Sequence, residues 1–496
     1  MAKSRARAQT PYPFSEIHPK FRVHGWSELL GAEELVLATE MVRHFIVTGE
    51  TGSGKSVSAV MRLLESILRY PEAEPYSLYA NGVGSAAEKE EDLRPAVLVV
   101  DPKEELEELV GRESKGRKVT RIAYGEAGLI LDFFEGRRQG EMDAFEVMDL
   151  ILMQSDFYVM DQATTREPIW NMQAGLILKD LVAIDMWLAK QSMDHVKLLW
   201  DGTREALEKC EDFKSVTANI RYDPNNYFKP MAALLGLSAG QDGSLPMACY
   251  LETAQVLDVP GELTVRLVTM VTLYHSTRSG VVWMANGILA DIALDEFAAC
   301  VCLNPLEPPP PDKRFCIKDA LDGGDAVVYV PSAVSPMADM AGRCIKSKFF
   351  EFAFQRENKI RPFFYVVDEA HRFLTAGEQD GEQSLLDRCR AFRTGVLLST
   401  QSIASMSYRL ERSAGSGFNA LQIILNNCGN ALYFRTSDIH TQENLRQRIP
   451  DPPFPNRPHV IKVRPLTTLP VGSCYALRAN GTWGLFQVHL PPQLNP

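Results

Sequence analysis

The chain has 496 residues, 45% hydrophobic and 23% charged, with a formal net charge of −11. This is the balance of an ordinary globular protein long enough for roughly two to four domains. The acidic charge excludes a surface coated for nucleic acid, although a basic channel or loop remains compatible with it. The nine cysteines include no C-x-x-C pair, which points to reduced thiols of a cytoplasmic protein rather than to zinc. No apolar stretch follows the basic start, and the most apolar long segment, 281–303, is broken by Asp291, Asp295 and Glu296. Neither a signal peptide nor a membrane span is expected, and the expected location is cytoplasmic.

In chain order, residues 1–40 read as a basic, proline-containing arm and lead-in. Residues 45–47 read as a buried strand. They run into Gly49-Glu50-Thr51-Gly52-Ser53-Gly54-Lys55-Ser56, and an apolar 3.6-residue period follows over 57–70. Residues 71–94 read as an exposed connection. The five apolar residues 96–100 suit a parallel strand buried on both faces, ending at Asp101-Pro102-Lys103. From 140 to 315 the pattern becomes helical, with helices expected over 145–153, 169–190, 196–210, 228–237, 262–275 and 284–303. The prolines of 305–311 form a stiff linker by composition. Strands return at 325–330, 363–367, 395–401 and 431–434, with a helix over 340–356, and a proline-rich tail from 451 carries short strands at 471–477 and 485–489. Strands alternating with helices predict an α/β fold, a parallel sheet with helices on both faces, interrupted by a largely helical inserted domain. The expected division is 1–40, core 41–139, insert 140–315, core 316–450 and tail 451–496.

Strand, glycine loop and helix in the pattern G-x-x-x-x-G-K-[ST] make residues 49–56 a triphosphate cradle. Its backbone N–H groups face the anion, Lys55 reaches the β- and γ-phosphates, and Ser56 holds Mg²⁺. ATP and Mg²⁺ are therefore the expected ligands. The apolar strand ending in Asp368-Glu369 supplies the second half: Asp368 for the Mg²⁺ shell, Glu369 to polarise the attacking water. Gln401, at another strand tip, is placed to sense the γ-phosphate or position water. Arg388, Arg390, Arg393, Arg409, Arg412 and Arg435 are candidates for an arginine acting on a neighbouring subunit's phosphate, with no ground for choosing among them. Asp101 and Lys103 are read equally as a structural salt bridge or as part of a ligand site, His371 as packing or capping, and Trp170 and the aromatics 157–158 as core.

Taken together, the glycine loop, Val-Leu-Val-Val-Asp101-Pro-Lys103, Val-Val-Asp368-Glu369 and Leu-Ser-Thr-Gln401-Ser resemble the HerA–FtsK superfamily of motor ATPases. Ile169-Trp170-x-x-x-Ala174-Gly-Leu within the insert, and Leu469-Pro-Val-Gly472-Ser-Cys-Tyr near the end, make the chain most similar to TraG/TraD-type coupling proteins of conjugation and type IV secretion. That resemblance implies a RecA-like core, a homo-hexamer, ATP-driven movement of DNA through a central pore, and relaxase or secretion-channel proteins as partners. Such proteins usually carry an N-terminal membrane anchor, which is not seen here, so soluble relatives are equally implied. The Asp-Glu-Ala-His box also suits a DEAH helicase. However, the two motifs lie about 300 residues apart, beyond the ~100–150 residues of one domain, and the later motif is Ser-Thr-Gln. A nucleotide-gated scaffold recruiting a relaxase, nuclease or secreted protein, and a protein-translocating motor, are the other readings.

Overall fold

The computed structural model describes residues 25–27, 32–34, 43–68, 94–114, 116–138, 142–155, 169–240, 244–332, 335–356, 361–375, 381–414, 417–449, 465–479, 481 and 483–488. Two three-residue strands, β1 (Gly25–Ser27) and β2 (Ala32–Glu34), come first. β3 (Phe45–Thr48) then leads through the glycine loop into a π-turn, Ser56–Val60, and α1 (Met61–Leu68). β4 (Ala96–Val100), α2 (Glu105–Glu113), β5 (Val119–Ala123) and β6 (Ile130–Asp132) follow. Next come α3 (Ala144–Leu152), α4 (Ile169–Gln191), α5 (Met193–Glu208), α6 (Lys229–Ser238), α7 (Ser244–Val256), α8 (Gly261–Thr272), α9 (His275–Ile292) and α10 (Asp295–Ala298). The chain returns through β7 (Val301–Cys302), β8 (Arg314–Phe315), α11 (Ile317–Asp322), β9 (Ala326–Val330) and α12 (Pro336–Gln355) to β10 (Phe363–Val367). α13 (Glu382–Cys389), β11 (Thr394–Thr400), α14 (Ile403–Ala414), α15 (Gly417–Asn427), β12 (Asn430–Phe434), α16 (Ile439–Arg448), β13 (Ser473–Leu477) and β14 (Trp483–Val488) complete it.

The main sheet has the order β2-β1-β14-β13-β12-β3-β11-β10-β4-β9-β5. From β12 to β5 every pairing is parallel, and from β12 to β2 every pairing is antiparallel. Period-2 alternation divides each central strand between two cores. Phe45, Val47, Val97, Val99, Phe364 and Val366 face one, whereas Ile46, Leu98, Val100, Tyr365 and Val367 face the other. That explains the continuous apolar runs: Val97, Leu98, Val99 and Val100 are all 0% exposed, and each contributes about 1.5–3 kcal/mol on burial. The helices α3–α9 pack into the second of these cores. The α/β class with a parallel sheet, helices on both faces and a helical insertion is thus observed.

The two ends of the helical excursion are fastened together. β6 pairs in parallel with both β7 and β8. The fully buried Asp132 accepts from Arg138 Nη1 at 2.7 Å and Arg314 Nε at 2.9 Å, so its charge is matched where an unpaired one would be costly.

Several expectations differ from this structure. Segment 284–303 is not one helix: α9 stops at Ile292, the short α10 follows, and 301–302 pair as β7, because the small sheet offers that apolar end a ladder. At the start of the proline-rich segment 305–311, Asn304 Oδ1 accepts from Leu306 N and Glu307 N at 2.8 and 3.2 Å. The lead-in, for which no particular element is expected, contributes β1, which pairs with β14 and β2. The arm, the connection over 71–93 and the aromatics 157–158 lie outside the described residues. Trp170 packs on the helical core, against Gly280, as expected. Among the described residues, no helix is long and apolar enough to cross a membrane.

Candidate active site

The glycine loop turns back on itself at the carboxyl end of β3. Gly52 and Gly54 have φ of +79° and +91°, a region that a side chain strongly disfavours. A Cβ on Gly54 would also stand 3.0 Å from Gly472 N, and one on Gly49 would stand 2.6 Å from Phe434 Cβ. The loop is tied down at four points: Gly49 N to Thr400 O (3.3 Å), Glu50 N to Arg435 O (2.9 Å), Gly472 N to Ser53 O (3.0 Å) and Ser58 N to Gly54 O (2.7 Å). Thr51 and Gly52 lie exposed at its rim, Ser53 is buried, Lys55 is only 4% exposed, and Ser56 opens the π-turn.

Sheet order brings the acids to this loop. β11 lies between β3 and β10, and β4 flanks β10 on its other side. Ser56 Oγ donates to Asp368 Oδ2 at 3.3 Å, across 312 positions of sequence. Ser399 Oγ, on β11, donates to Asp368 Oδ1 at 2.6 Å. Glu369 adopts a left-handed conformation, φ +51°, which costs a non-glycine residue of order 1 kcal/mol and persists only where the surroundings hold it. Gln401 Nε2 donates to its Oε1 at 3.2 Å, and His371 Nδ1 lies 3.7 Å from its Oε2.

Two features go beyond the sequence reading, which leaves Lys103 open between a salt bridge and a ligand site and does not single out Ser399. Lys103 Nζ donates to Asp368 Oδ2 at 3.1 Å and to Glu369 Oε1 at 2.7 Å. Asp101, by contrast, forms no ion pair among the described residues. Its buried carboxylate accepts from Leu106 N and Glu107 N at 2.7 and 2.8 Å and from Lys103 N at 3.3 Å, capping α2 and fixing the loop. Ser399 stands beside Gln401 in the Leu-Ser-Thr-Gln motif, so its signal was present. Lys103 could be recognised only once β4 was known to adjoin β10.

The electrostatics follow from these contacts. Burial raises the Asp368 pKa, but the Ser399 hydrogen bond and the charges of Lys103 and Lys55 outweigh it and leave the carboxyl below its ordinary value. Burial opposes the Lys103 charge, and the bond to Glu369 with the two carboxylate charges more than offsets this, leaving the ammonium above its usual range. Asp101 is pushed up by burial despite its backbone donors. His371 is pushed down by burial.

The residues present fit a phosphate chain and a divalent ion. Ser53 Oγ and Glu369 Oε2 are buried with no hydrogen-bond partner among the described residues, and the loop forms a cradle that a Cβ at Gly49 or Gly54 would fill. The candidate arginines behave differently from one another. Arg435 Nε pairs with Glu50 of the loop at 2.8 Å, Arg409 Nε donates to Leu374 O at 3.2 Å, and Arg388 stacks 4.6 Å from the Phe354 ring centroid. Arg390 is exposed, Arg393 sits at φ +49°, and the Arg412 side chain lies outside the described residues.

No protein-family model matches the chain, and no curated protein matches it in sequence. Solved structures do match it in fold. The bacterial conjugative coupling protein TrwBdeltaN70, in its unbound monoclinic form, aligns at TM-score 0.51 and 14% identity, covering 95% of this chain and 88% of that one. Its trigonal form in complex with sulphate gives 0.52 and 13%, covering 92% and 88%. The plasmid coupling protein TrwB in complex with ADP and Mg²⁺ gives 0.50 and 14%, covering 92% and 87%. Over nearly its whole length, the chain has the fold of the conjugative coupling proteins to which its motifs are similar.

Proposed function

We propose that the chain is an ATP-hydrolysing, DNA-translocating motor of the coupling-protein kind, working as a homo-hexameric ring in conjugative or mobile-element DNA transfer. The observation that carries this reading is the Ser56–Asp368 contact, which joins loop and acid pair at one crevice beside Gln401. The fold shared with TrwB, whose structures include an ADP and Mg²⁺ complex, supports it. In this reading residues 41–139 and 316–450 form the core, 140–315 the inserted domain and 451–496 the tail.

Each residue then has a role. Residues 49–56 enclose the phosphates with backbone N–H groups, and Lys55 neutralises their charge. Ser56 and Asp368 would hold Mg²⁺, which, when bound, offsets charge on the β- and γ-phosphates. Glu369, kept in place by Gln401, accepts hydrogen bonds from the attacking water and orients it, while Gln401 can follow the γ-phosphate. ATP hydrolysis should depend on Mg²⁺, rise with DNA, and disappear in Lys55→Ala and Glu369→Gln. Hydrolysis indifferent to DNA and to assembly state would sink the motor reading.

A second reading, a nucleotide-gated scaffold, is favoured by the apolar side chains exposed on α7 and α8 and just beyond α8, with Val256 81% and Tyr274 89% exposed. Capture of a partner by the chain with no DNA-stimulated turnover would select it.

A further inference from the structure

The acid pair carries two negative charges at the end of a buried strand, and its nearest cation belongs to neither nucleotide motif. Lys103 Nζ bridges Asp368 Oδ2 and Glu369 Oε1 at 3.1 and 2.7 Å. The bridged Asp368 oxygen is the one that Ser56 Oγ addresses at 3.3 Å. Resting on the nucleotide-site reading above, we propose that Lys103 is a tethered counterion of the acid pair. It competes with the divalent cation for Asp368 Oδ2 and so sets how much divalent ion the site requires.

Three features of the fold support this role. First, the lysine is placed by its backbone: Asp101, 0% exposed, accepts from Lys103 N, Leu106 N and Glu107 N, and Glu104 turns the chain with φ +61°. This fixes the backbone from which the Lys103 side chain reaches both carboxylates. Second, the side chain is 37% exposed while its two partners are 2% and 7% exposed. It can therefore withdraw toward solvent without unpacking the core. Third, a divalent ion held by Ser56 and Asp368 would draw on the same Asp368 oxygen that Lys103 Nζ occupies, and two cations at one oxygen repel. A bound ion would therefore compete with Lys103, while Glu369 keeps Gln401 as a donor. Lys55, only 4% exposed, has no comparable freedom to withdraw toward solvent.

The test is a Mn²⁺ titration, followed by electron paramagnetic resonance, of the full chain with saturating ADP. Mn²⁺ stands in for Mg²⁺, and thermal melting confirms that each variant is folded. Lys103→Met should bind Mn²⁺ about ten-fold more tightly than the wild type, equivalent to about 1.4 kcal/mol. Lys103→Arg should restore the weaker affinity, and Lys103→Gln should match Lys103→Met. An affinity that Lys103→Met leaves unchanged or weakens overturns the inference alone. The absence of a stoichiometric Mn²⁺ site in the wild type overturns the nucleotide-site reading as well.

Discussion

Replacing Asp185 by asparagine should stabilise the protein, and more at pH 8 than at pH 5. Asp185 lies on α4, 0% exposed; the indole Nε1 of Trp200 donates to its Oδ2 at 3.2 Å, and the hydroxyls of Tyr227, Tyr222 and Tyr250 lie nearby, with no cation paired to it among the described residues. Burial pushes its carboxyl from 3.8 up to about 7, with the Trp200 and Tyr227 bonds offsetting this only in part. The sign follows from linkage. Because the folded value is raised, the native state binds more protons between these limits, and stability falls as pH rises through them. The cost of the carboxylate grows from about 2 kcal/mol at pH 5 to about 4 kcal/mol at pH 8. His44 acts in the opposite sense: burial lowers it to about 4, so its contribution is present above 6.5 and lost as pH falls. It cancels in a comparison of wild type with variant. Urea or thermal unfolding, followed by Trp fluorescence, should show the Asp185→Asn advantage widening by about 2 kcal/mol between pH 5 and pH 8. That corresponds to about 4–8 °C for a unit of 150–250 residues. An advantage that does not change with pH would refute the reasoning that burial of the charge, rather than packing, is what costs stability there.

Four further outcomes are expected. Ser399→Ala removes a 2.6 Å bond to Asp368 and should weaken Mg²⁺·ADP binding by about ten-fold, since hydrogen bonds to charged groups contribute about 1.5–3 kcal/mol; calorimetry would show it. Gln401→Ala should lower kcat for ATP hydrolysis with little change in ADP affinity, because its partner is Glu369 rather than the phosphate cradle. Arg435→Ala should change the stability of the isolated chain by about 1 kcal/mol or less, since its pair with Glu50 is about one-third exposed to solvent. Lys346→Met leaves Glu382, 3% exposed, without its ammonium partner and should cost about 3–5 kcal/mol in unfolding measurements.

The parts of the site that could be read from sequence were those with strong local rules. The glycine loop is contiguous, and both Asp368 and Gln401 end apolar strands that announce themselves by composition. Lys103 was ambiguous because its role depends on which strand lies beside β10, a long-range fact that no local pattern carries. The same holds for Gly472, 418 positions after Gly54 in the chain and 3.0 Å from where its Cβ would be. β1 and β2 were invisible because three residues are too few for periodicity, and they exist by pairing onto β14. β5 was hidden by Arg121, which faces Glu107 and Glu126 rather than the core. The helix expected over 284–303 failed for the reverse reason: an apolar run is ambiguous between helix and strand until a partner strand selects one.

The most direct test of the shared site is a double-mutant cycle on Mg²⁺-dependent ADP affinity with Ser56→Ala and Asp368→Asn. If both residues serve one ion, the double variant should lose little more than the worse single variant, giving a coupling of at least about 1 kcal/mol. Losses that add to within about 0.5 kcal/mol, or an Asp368→Asn protein whose ADP affinity still responds fully to Mg²⁺, would contradict the account.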